Sequence, residues 1–151
     1  MQRCIVSAIL SGIALLISGC GGPSSGPTIE KVVSVSGTLT YQGKPLEFFQ
    51  VTFLPTDGRR AAVGVTDATG KFTLGTNDVA DGAPPGSHKV AVVWVGPQTD
   101  VAAGQEVVID DPSLLPKPSV RIPAHYANPE TSALTQEIPA GGLTDLKIDL
   151  K

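Results

Sequence analysis

The chain has 151 residues, with 17 glycines and 13 prolines against 17% charged and 5% aromatic side chains. That length fits one domain, and so many turn formers argue against a helical bundle and for short strands joined by turns. A formal net charge of -3 argues against nucleic acid as a partner, because phosphate recognition calls for clustered Lys and Arg.

In chain order, Met1-Gln2-Arg3 supplies a short cationic start, and residues 5–17 form an uncharged, mainly apolar stretch. It falls within the range of about 7–15 residues usual for a secretory leader and short of the roughly 20 that a spanning helix needs. The stretch ends in Leu16-Ile17-Ser18-Gly19-Cys20, which resembles the lipobox of bacterial lipoproteins. The resemblance implies a signal peptide over residues 1–19 and acylation of Cys20, whose sulfur takes the lipid. Several acyl chains, each contributing about 0.8 kcal/mol per buried CH₂, give durable anchoring. The expected location is therefore the cell envelope. By analogy with enterobacterial sorting, Gly21 in place of Asp after the cysteine favours the outer membrane over the inner one.

Residues 20–28 read as a flexible tether of small and turn-forming residues. Gly22-Pro23-Ser24-Ser25-Gly26 matches the hydrolase pattern G-x-S-x-G, but that motif requires a strand before the serine and a helix after it. A lipidated terminus supplies neither. Cys4 lies in the leader and Cys20 ends it, so the folded part, residues 29–151, has no thiol for a disulfide or a metal.

From Ile29 the pattern turns to period two. Val33, Val35, Leu39 and Tyr41 share one face, with Ser34, Ser36, Thr38 and Thr40 on the other, which predicts a half-buried strand. After the turn at residues 42–45, a second strand is expected over 46–54, placing Phe49, Val51 and Phe53 together. Strands over 60–66 and 71–76, joined by Asp67-Ala68-Thr69-Gly70, are expected to form a hairpin. Residues 88–95 carry apolar side chains on both faces, as in a central strand. A long loop over 96–119, with a stub at Val107-Val108-Ile109, interrupts the rhythm. Weak strand character follows at Val120-Arg121-Ile122. The last two strands, 134–138 and 143–150, are expected to pair as a hairpin through Ala140-Gly141-Gly142. About seven short strands with turns between them suggest an all-β sandwich.

Four stretches carry a family likeness: 37–46 (GTLTYQGKPL), 64–74 (GVTDATGKFTL), 82–90 (GAPPGSHKV), and Ile122-Pro123-Ala124-His125-Tyr126 running into 131–135. Together they resemble the carboxypeptidase regulatory-like and transthyretin-like domains of planctomycete lipoproteins. The resemblance implies a seven-stranded Greek-key, transthyretin-like or Ig-like β-sandwich and no activity, since such modules serve mainly in folding, adhesion or recognition. A transthyretin-like hydrolase uses several His and Arg residues and a Tyr-Arg-Gly-Ser ending that this sequence does not have.

Residues able to do chemistry are few. His88 and His125 lie far apart in sequence and lack the spacing of a shared metal site. Asn77, Asp78, Asp81, Asp110 and Asp111 offer hard oxygen ligands that suit calcium; Asp and Asn also favour turns through bonds to their own backbone, the preferred reading here. The segment from Gly64 to Lys71 lacks the spacing of a phosphate loop. Trp94 with Tyr41 and Tyr126 is the one candidate for a carbohydrate platform, set against burial of Trp94 in the core. The expectation is a non-enzymatic, lipid-anchored structural or interaction module without a cofactor. Its partners are membrane lipid through Cys20 and an envelope protein or glycan. A carbohydrate- or calcium-binding domain is the alternative, and a hydrolase the less favoured third reading.

Overall fold

Alternating side chains resolve into two four-stranded sheets in the computed structural model, which describes residues 29–97 and 116–151. The leader, Cys20, Ser24, the stub at 107–109, Asp110 and Asp111 lie outside the described residues.

The first sheet is built around β1 (Val35–Tyr41), which pairs antiparallel with β2 (Lys44–Pro45) and β5 (Lys71–Thr73), and parallel with β8 (Leu143–Leu150). The second runs in the order β4 (Ala62–Val65), β3 (Phe49–Pro55), β6 (Gly86–Trp94), β7 (Thr135–Ile138), every pair antiparallel. The inward positions form one continuous core: Val35 and Leu39 of β1, Phe49, Val51 and Phe53 of β3, Val90 and Val92 of β6, and Leu150 of β8. Full burial of such side chains contributes about 1.5–3 kcal/mol each before chain entropy is counted. The structure is a two-sheet, all-β sandwich.

Close approach of strands depends on Gly37. A Cβ there would lie 2.5 Å from the Leu146 carbonyl oxygen and 2.9 Å from Phe72 Cζ. Glycine thus lets β8 and the Phe72 ring both close on the middle of β1, and the β1–β8 register shifts between Val35 and Gly37.

Several expectations are corrected. The strands on either side of Asp67-Ala68-Thr69-Gly70 do not form a hairpin: β4 belongs with β3, and β5 crosses to β1. Only a bridge between Val63 and Gly75 links the two segments. The turn itself is as tight as its residues require, with Gly70 N–H donating to the Asp67 carbonyl and Asp67 N–H to the Lys71 carbonyl. A turn reverses the chain but does not choose the sheet, and Phe72 and Leu74 reach the core from the opposite layer.

Likewise β7 joins β6 while β8 lies parallel to β1, so 140–142 is a crossover. The second strand starts at Phe49 because Phe48 has φ 61°, a left-handed conformation that breaks a pleated strand. Residues 120–122 make no strand. Pro116, Pro118 and Pro123 around them lack backbone donors, and the chain turns into a 3-10 helix, Ala124–Ala127, that buries Tyr126. Strand β6 is central by pairing, yet Val93 on its outer face is 41% exposed.

Candidate functional site

The acidic turn after β5 is a self-contained loop. Asp81 accepts hydrogen bonds from Thr76 N–H at 2.6 Å, from Asn77 N–H at 3.1 Å and from Asn77 Nδ2 at 3.1 Å. The Thr76 hydroxyl donates to the Gly82 carbonyl at 2.9 Å and closes the loop. Burial works to raise the Asp81 carboxyl, but these donors outweigh it and hold it below the usual carboxylate range. Asp78 accepts from the Val79 N–H at 2.7 Å. Both carboxylates of the described calcium candidates therefore bond to their own loop, the arrangement that makes Asp and Asn turn formers. Calcium takes 6–8 oxygens, and among the described residues no group of three or more His, Cys, Asp or Glu side chains converges. The other two candidates, Asp110 and Asp111, lie outside the described residues.

Asn77 does a second job that sequence reading missed. Its Oδ1 accepts from Glu30 N–H at 2.9 Å and its Nδ2 donates to the Glu30 carbonyl at 3.0 Å. The loop thereby grips the entering chain. No local signal marks that role, because the partners are 47 residues apart.

The two histidines occupy different environments. His88, on β6, is 0% exposed, with its ring centroid 5.9 Å from that of Phe53. Nδ1 lies 2.9 Å from the Gly86 carbonyl, which can only accept, so the neutral ring carries its proton on Nδ1. Nε2 is buried with no hydrogen-bond partner. Burial pushes the imidazole pKa down, and Arg59 adds to the effect, opposed by the Gly86 carbonyl, Asp57 and Glu137. His125 is exposed on the 3-10 helix, its ring 4.1 Å from that of Tyr126. The two do not face a common site.

Tyr126 is buried, and its hydroxyl donates to the Lys151 carbonyl at 2.9 Å and accepts from the Lys151 N–H at 3.2 Å. It is a structural tie. Trp94 and Tyr41 are half-buried and pack against the core, so the three aromatics do not form an exposed platform. The Gly64 to Lys71 segment is likewise turn chemistry: Asp67 accepts from the Thr69 hydroxyl and from the N–H groups of Thr69 and Lys71. Those bonds hold its carboxyl below the usual range.

Among the described residues the surface has several concavities, one of them, of about 230 Å³, between β6, β7 and β8 beside Val90, Gln136 and Asp149. An open groove of about 940 Å³ runs beside β4 and β5, bordered by Val63, Val65, Lys71, Asn77 and Val79. A smaller one of about 240 Å³ lies between the end of β6 and residues 118–127, lined by Phe49, Val92, Trp94 and Ile122. No helix among the described residues is long and apolar enough to cross a membrane. In comparison with known proteins, the chain matches no family model, no curated protein and no solved structure.

Proposed function

We propose that this chain is a lipoprotein of the cell envelope, held to a membrane by acylated Cys20 and working there as a non-catalytic structural or interaction module. One observation supports the second half over the calcium-binding alternative: the described calcium candidates, Asp78 and Asp81, are engaged by the N–H groups of their own loop. The first half rests on the Leu16 to Cys20 motif and the short apolar leader before it. In this reading the domain is of the carboxypeptidase regulatory-like or transthyretin-like kind, a seven-stranded Greek-key sandwich to which β2 is a two-residue addition. Gly21 directs it to the outer membrane.

The test is expression of the full chain in a bacterium. The wild type is expected to sediment with membranes, resist extraction by salt and carry acyl mass on Cys20, whereas Cys20→Ala moves to the soluble fraction. Wild-type protein that carries no acyl mass on Cys20 overturns the anchor. A hydrolytic activity lost on changing His88 or His125 overturns the non-catalytic role.

A further inference from the structure

Val79 and Ile29 are the most exposed large apolar side chains among the described residues, at 93% and 81%. Isolated exposed apolar residues need no explanation. These two differ in being held together: the paired hydrogen bonds between Asn77 and Glu30 clamp the segment that carries Ile29 to the loop that carries Val79. The loop is stiffened from within by Asp81. Val79 is thus presented to solvent on a braced support, and its insertion elsewhere would require little further ordering.

The position of this end of the sandwich supplies the occupant. Eight residues, 21–28, separate Cys20 from Ile29, and a chain of that length spans at most about 30 Å even when fully extended. The Ile29 end is the one the tether joins, and it lies within that reach of anything Cys20 is anchored in. The opposite end, reached after the seven residues of β1, presents Gln42, Gly43, Lys44 and Thr69, all exposed.

We propose that the end carrying Ile29 and the 75–82 loop rests on the lipid surface, with Val79 and Ile29 entering the headgroup region. The proposal rests on acylation of Cys20. Glu30, Lys31 and Asp78 flank the two apolar residues, and without a cluster of basic side chains the end fits a zwitterionic surface better than an anionic one. Lipid and loop then make a two-part attachment that fixes how the sandwich stands, leaving the Lys44 end pointing away from the bilayer.

The mature chain has no thiol besides Cys20, so Val79→Cys and Lys44→Cys each provide a single labelling position on an exposed residue. The full lipidated protein, labelled with an environment-sensitive fluorophore, is reconstituted in phosphatidylcholine vesicles. A label at position 79 is expected to shift to the blue and to lose emission when the acyl chains are brominated, while one at position 44 does neither. Acylated protein whose position-79 label behaves like the one at position 44 overturns the docking alone. Protein that carries no acyl mass on Cys20 overturns the anchor and the docking with it.

Discussion

His88 shows how one side chain can tie folding to pH. Inside the sandwich its Nδ1–H is satisfied by Gly86, while Nε2 has no acceptor, so the folded state favours the neutral ring. The unfolded chain takes up a proton near the ordinary histidine value of about 6.5, and the folded chain only at a lower pH. Stability from this residue is therefore complete above that range and is lost as pH falls through it towards the depressed folded value. Arg59 resists protonation, and Asp57 and Glu137 favour it, but burial dominates. Urea unfolding at pH 7 and pH 5 is expected to show a loss of stability in the wild type that His88→Leu largely removes. Equal losses in the two proteins contradict it. Legibility at this scale was uneven: Asp67 and Asp81 read correctly as turn formers from their neighbours, whereas nothing near Asn77 pointed to Glu30.

Among the elements, the loop and the central strand each offer a test. Asp81→Ala removes three hydrogen bonds from the 75–82 loop. The expected cost is about 1.5 kcal/mol, the low end for bonds to a charged acceptor because the loop is partly solvated. Faster hydrogen exchange at the Thr76 and Asn77 amides is the direct readout, and unchanged exchange would sink the account. Gly37→Ala forces a methyl group against Leu146 backbone and the Phe72 ring. Overpacking of this kind costs about 1–3 kcal/mol, and chemical denaturation should show a drop in that range. Wild-type stability in Gly37→Ala would mean that β8 can move away freely. Strands β1, β3 and β8 were legible because each alternates an apolar set with more polar neighbours, and β6 because its apolar run covers both faces. The Phe48 break was not, since a positive φ at a bulky residue is imposed by its surroundings.

For the whole molecule, the engaged carboxylates predict that calcium leaves the thermal midpoint unchanged, because a ligand stabilises only the state that binds it. A rise in Tm with calcium chloride would revive the ligand-binding alternative. Period-two patterning and turn residues were enough to determine from sequence alone that the domain is all-β, where most strands lie and which faces are apolar, since these follow from local alternation and local backbone chemistry. Which strands pair was decided only in three dimensions. The turns at 67–70 and 140–142 each carry the chain from one sheet to the other, because a strand goes where its apolar face meets the core, and that core does not exist until both layers are assembled. The same reason separates His88 from His125 and brings Asn77 to Glu30: contacts between residues distant in the chain depend on packing, which no local pattern records.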